Sequence, residues 1–201
     1  MLAAFFEAIR ATTQPCTLLL LIPPIVMAII TRGRWTVFAA ICVGAVLGGW
    51  LFIANVVALD GWQLQLSAAL VITAIGLELT APSVPQLRRA TTTSAQAAVA
   101  GLVAFVATLW WRPCIGEELG VILTGARNGV SGELPGMTAY MLGAMVPVLA
   151  VVLVTRAIDP SPMAARRAGW AAGTIGVVVA AAVAIGRHDE LVTTLTRWTT
   201  S

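Results

Sequence analysis

The chain has no lysine, a single histidine and a single tyrosine, and only 10% of its 201 residues are charged. Soluble domains carry about 25% charged residues, so there is too little polar material here to clothe a globule in water. The 12 basic residues are all arginines, placed singly or in pairs. No basic stripe interleaved with aromatics exists, which excludes nucleic acid as a partner. The lone histidine, His188, cannot supply paired axial ligation, which excludes haem held that way. Three cysteines without a Cys-x-x-Cys pair leave a thin ligand set for a metal.

What is present is apolar. Hydrophobic residues make up 59% of the chain and the mean hydropathy is +0.91, as in an integral membrane protein. Uncharged runs cover 11–31, 35–59, 61–77, 90–111, 134–155 and 168–186. About 20 apolar residues cross the hydrocarbon, so six spanning helices are expected in one all-α membrane domain, 1–201. The first run lacks a small-residue cleavage site and reads as a span rather than a removable leader, with Met1 as the mature start. Six spans put Arg32, Arg34, Arg88, Arg89, Arg156, Arg166 and Arg167 on one face, and Arg10, Arg127, Arg187 and Arg197 on the other. By the positive-inside rule the first set is cytoplasmic and both termini face outward. A multi-pass protein of a bacterial-type inner membrane is the expected class.

Two Pro-Cys dipeptides, Pro15-Cys16 and Pro113-Cys114, fall one in each half of the chain. Proline inside a helix removes a backbone hydrogen bond and breaks it. Each cysteine is therefore expected near the second position of a fresh helical segment, where unpaired N–H groups and the helix dipole favour a thiolate. Further breakers follow each cysteine: Pro23 and Pro24 in the first half, Gly116, Gly120 and Gly125 in the second. Three spans per half turn the second half upside down relative to the first. The expected plan is two inverted three-helix repeats, about 1–90 and 91–190, with 191–201 as a short outer tail. Broken helices at matching points of such repeats mark a site near the midplane. A disulfide needs Cα atoms within about 7 Å; an inverted repeat permits that approach and does not prove it.

Other residues carry weaker signals. Arg112 adds positive charge beside Cys114, and Glu117 and Glu118 oppose it one turn later. Acidic residues at membrane depth usually face a cavity or partner; the alternatives here are a headgroup-level turn or pairing with Arg112. Cys42 has no preceding proline and reads as packing. Glu78 reads as interfacial. The spacings Gly44 to Gly48 and Gly169 to Gly173 allow close helix approach. Trp35, Trp62, Trp110, Trp111 and Trp170 read as interfacial anchors.

The string Trp111-Arg112-Pro113-Cys114-Ile115-Gly116-Glu117-Glu118-Leu119-Gly120 resembles the fourth-helix motif of the CcdA family. These are transmembrane electron carriers related to the central domain of DsbD, whose motif runs Pro-Cys-x-Gly-Pro-x-Leu-Gly. Gln14-Pro15-Cys16-Thr17-Leu18, followed by Ile22-Pro23-Pro24, is similar to the family's first-helix motif. The resemblance implies six spans and a redox-active disulfide formed by Cys16 and Cys114, with no other cofactor. It also implies a relay from cytoplasmic thioredoxin to extracytoplasmic thioredoxin-like proteins that reduce apocytochrome c or other substrates. Glu117 departs from the pattern where the family has proline, as does Leu19, with the Pro23-Pro24 pair displaced by about a residue.

Two other classes fit the composition. A small-solute or metal-ion exporter would use Glu117, Glu118 and the cysteines as ligands, since soft thiolates bind copper or mercury. A helical accessory subunit of a larger membrane complex would carry idle cysteines.

Overall fold

A backbone in lipid must satisfy its own N–H and C=O groups, and a helix does so within one segment. The computed structural model describes residues 1–54, 62–80, 93–110, 117–158, 161–187, 190 and 193, without the side chains of residues 15, 16, 18–20, 64, 118 and 162. Among the described residues the regular structure is all helical. The helices are α1 (Leu2–Ala11), α2 (Pro15–Ile30), α3 (Trp35–Ile53), α4 (Trp62–Thr80), α5 (Thr93–Leu109), α6 (Glu117–Asn128), α7 (Val130–Ala144), α8 (Val146–Ile158) and α9 (Pro162–Ala184).

Among the described residues three segments are long and apolar enough to cross a membrane: Trp35–Ile53 with 19 residues, Val130–Ile158 with 29, and Met163–Ala184 with 22. Leu21–Ile30, Gln65–Thr80 and Thr93–Leu109 are shorter apolar helices. The outward faces also carry large apolar side chains. Val43 and Leu47, one turn apart on α3, are 59% and 45% exposed. Such a stripe costs nothing against lipid, and the protein is a membrane protein.

Close helix contact rests on glycine. On α3 a Cβ at Gly44 would overlap the carbonyl oxygen of Gly101 on α5, and one at Gly48 would lie 2.7 Å from the Cβ of Thr108. The expected small-residue seam is therefore the α3–α5 interface, the most extensive between the described helices. α9 lies on α4 and α2. There the tight positions are Gly173 against Leu79 and Gly176 against Ile75, while Gly169 has only an ordinary contact at 3.8 Å. Short α1 presents buried Ala4, Ala8 and Ala11 and packs on α7, where a Cβ on Gly143 would overlap the Phe5 carbonyl oxygen.

Four expectations are corrected. α2 continues through Pro23 and Pro24; prolines are tolerated in membrane helices whose neighbours re-satisfy the freed groups, and α9, α8 and α5 all flank α2. α6 runs unbroken through Gly120 and Gly125, because an isolated glycine weakens a helix without ending it. The apolar run 134–155 is instead divided at Met145, between α7 and α8, just before Pro147. Trp110 is no interfacial anchor: it is buried, and its Nε1–H donates to Ser67 Oγ at 2.8 Å. Trp35, Trp62 and Trp170 are exposed.

The end of α2 is a Schellman turn. Gly33 N–H donates to Ala28 O at 2.9 Å and Arg32 N–H to Ile29 O at 3.1 Å. Arg32, with φ of 55°, occupies the left-handed position that glycine usually fills. Gly33 is itself left-handed, and a Cβ there would lie 2.8 Å from the Val152 carbonyl oxygen on α8.

Candidate functional site

The break between α1 and α2 is built from three polar residues and a proline. Thr12 Oγ1 donates to Ile9 O at 2.6 Å and Thr13 Oγ1 to Arg10 O at 2.9 Å, closing off the carbonyls at the end of α1. Gln14 is extended, with ψ of 139°, the conformation that a following proline imposes. Pro15 then opens α2 at its first position, where its missing N–H would have been unpaired anyway. The backbone of Cys16 is thus the second residue of a helix and Thr17, buried, the third. Anionic groups are stabilised in that first turn, and a thiolate there is the nucleophilic form.

The second motif lies outside the described residues: this holds for Arg112, Pro113, Cys114 and Gly116. The helix that follows it is described. Glu117 opens α6 and is exposed. Two residues later Leu119 N–H, one of the unpaired donors of a helix start, donates to Glu7 Oε1 of α1 at 3.3 Å. α1 therefore supplies a carboxylate to the N-terminus of the helix that follows Cys114. Tyr140, fully buried on α7, lies within electrostatic reach of the same carboxylate.

Beyond Glu117 an open cleft of about 520 Å³ separates α6 from α7 and is lined by Glu117, Gly120, Thr124, Asn128 and Glu133 among others. A Cβ on Gly125 would overlap Glu133 Oε1, so glycine makes room for that carboxylate at the cleft. The side chain of Glu118 is outside the described part. Cys42 is a free, half-buried thiol packed against the core.

Glu78, at the end of α4, is buried among its neighbouring helices. Its Oε2 accepts from Gln96 Nε2 at 2.9 Å, and Gln96 Oε1 accepts from Arg34 Nη1 at 2.6 Å. The chain of three ties the end of α4 to the starts of α5 and α3, all on the arginine-rich face. A buried carboxylate without its partner costs about 1–3 kcal/mol or more. Gln96→Leu is accordingly expected to lower the thermal midpoint of the purified protein by several degrees, and Glu78→Gln by much less. Equal midpoints for Gln96→Leu and the natural protein would remove this network from the stability account.

No family model matches the chain, and no curated protein or solved structure matches it either. The residues missed in the sequence are Glu7 and Gln96. Glu7 had a visible signal, as a lone carboxylate in the otherwise apolar stretch from Leu2 to Ile9; Gln96 had none, because a glutamine near a helix start is unremarkable until Glu78 is seen beneath it.

Proposed function

We propose that the protein is a transmembrane thiol–disulfide electron carrier of the CcdA type, with Cys16 and Cys114 as its redox pair. The observation that carries this reading is the position of Pro15-Cys16 in the first turn of α2, directly after a broken helix. Two further facts support it. α2 packs on α5 and α1 on α6, so the helices flanking one Pro-Cys motif touch those flanking the other. The α3–α5 contact also has a counterpart in α7–α1, as expected if 1–90 and 91–190 are inverted repeats, α1–α2 matching α5–α6 and α3 matching α7–α8. Six spans follow on this plan, with α1–α2, α5–α6 and α7–α8 each counted as one and both termini outside the cytoplasm.

In the relay a thiolate of reduced cytoplasmic thioredoxin attacks the Cys16–Cys114 disulfide. One carrier sulfur leaves as thiolate and a mixed disulfide forms. The donor's second thiolate resolves it, leaving oxidised thioredoxin and a carrier dithiol, two electrons and two protons richer. On the outer face one carrier thiolate attacks the disulfide of a thioredoxin-like acceptor, and the other carrier thiolate resolves the intermediate. The acceptor leaves as a dithiol able to reduce apocytochrome c or another substrate. Inverted repeats rocking about a midplane site expose the pair to each face in turn.

Mass-tagged maleimide labelling of oxidised membranes tests the pair. Cys42 alone is expected to label before reduction, with two further thiols after it. Full labelling of Cys16 and Cys114 before reduction would sink the proposal.

A further inference from the structure

On the arginine-rich face a groove of about 420 Å³ opens between α2, α8 and α9. Its walls are Ile29 of α2, Val151, Val154 and Ile158 of α8, and Ala165 and Ala168 of α9. Thr155, also in the wall, spends its hydroxyl proton on Val151 O at 2.7 Å, so it offers no free donor. Among the described lining residues the one charged group is Arg32. Its left-handed backbone, where glycine is preferred, holds an arginine instead. Among the described residues no carboxylate pairs with it.

Among the described residues the neighbouring charge has the same sign. Arg156 lies beside Gly33, with its Cγ 3.4 Å from the ideal Cβ position there, and its guanidinium sits 5.8 Å over Trp35. Arg166 and Arg167 are exposed on the same helix, about 100° or more around its axis from the wall residues Ala165 and Ala168. An apolar trench under a guanidinium that no described carboxylate pairs with, next to a second arginine, Arg156, is complementary to one molecule that a bilayer supplies: an acyl chain joined to a phosphodiester. Arginine's planar fork suits phosphate oxygens, and anionic lipid heads attract basic residues at the membrane surface.

We propose that this groove is a binding site for an anionic phospholipid, one acyl chain lying along α8 and the phosphate resting on Arg32. The site stands whether or not the cysteines carry electrons. It is tested on the full chain by native mass spectrometry after exchange into phosphatidylglycerol or phosphatidylcholine of equal chain length. The natural protein is expected to retain one phosphatidylglycerol and to prefer it to phosphatidylcholine. Arg32→Gly removes the guanidinium and relieves the left-handed residue, so it is expected to fold at least as well while its affinity for phosphatidylglycerol falls about five-fold. Arg32→Gln should show the same loss. Val154→Trp, filling the trench, should release the lipid with Arg32 intact. Equal retention of the two lipids, or unchanged retention in Arg32→Gly, would overturn the proposal. So would full competition by glycerol phosphate, which lacks the acyl chain. A dimer in lipid-free detergent that Val154→Trp dissociates would assign the groove to a second copy of the chain instead.

Discussion

Cys16→Ser and Cys114→Ser are each expected to abolish electron transfer across the membrane, while Cys42→Ala retains it. The difference follows from the exchange chemistry. A single remaining thiol can attack a disulfide or be attacked, yet no second carrier thiol is left to resolve the intermediate. Each single variant is therefore a trap. Incubated with a thioredoxin whose own resolving cysteine has been removed, at least one should accumulate a mixed disulfide on non-reducing gels, and the double variant none. Mass spectrometry of the trapped species then assigns which cysteine meets the cytoplasmic donor and which the outer acceptor. Cys42 has neither a preceding proline nor a helix start; it is half-buried within α3 and packed against the core. Equal loss in all three single variants would mean the wrong pair has been chosen. No trapped species, together with metal- or solute-dependent transport in vesicles, would put the exporter in first place.

The membrane class was legible because composition alone sets it: with 10% charged residues, only lipid can cover the surface. The start of α2 was legible because proline dictates both its own φ and the extended residue before it. Interior breaks were not. Pro23 and Pro24 look like a helix end in isolation, but α2 is surrounded on several sides, and a flanked membrane helix keeps its course. Gly44 and Gly48 announced a close contact correctly, since a missing Cβ has a direct steric meaning. The partner, α5 with Gly101, is a tertiary fact with no local trace. Trp110 misled because tryptophans cluster at membrane interfaces; only the placement of Ser67 reveals an indole buried with its N–H satisfied. The Arg34–Gln96–Glu78 chain joins three helices from residues up to 62 apart, and periodicity within one helix carries no information about it.

Glu7→Gln is expected to raise the reduction potential of the Cys16–Cys114 pair, by on the order of 30 mV, equivalent to about 1.4 kcal/mol for two electrons. Glu7 Oε1 accepts from Leu119 N–H in the first turn of α6, five residues after Cys114, at most about 18 Å of chain. A carboxylate there repels a second negative charge in a medium that screens poorly. It therefore disfavours the Cys114 thiolate, and with it the reduced form of the pair. Removing the charge favours the reduced form, so the disulfide becomes the stronger oxidant and equilibrium with a glutathione buffer moves about tenfold toward dithiol. Glutamine keeps an oxygen for Leu119 N–H, so Glu7→Gln should retain most of the stability. Glu7→Leu leaves that donor unpaired and should lose about 1–3 kcal/mol. Redox titration read by mass-tag labelling, run beside thermal unfolding, separates the two effects. An unchanged potential in Glu7→Gln, with Glu7→Leu destabilised, would confine Glu7 to joining α1 and α6; a raised potential in Glu7→Gln at unchanged stability would make it the group that holds the pair reducing enough to pass electrons outward.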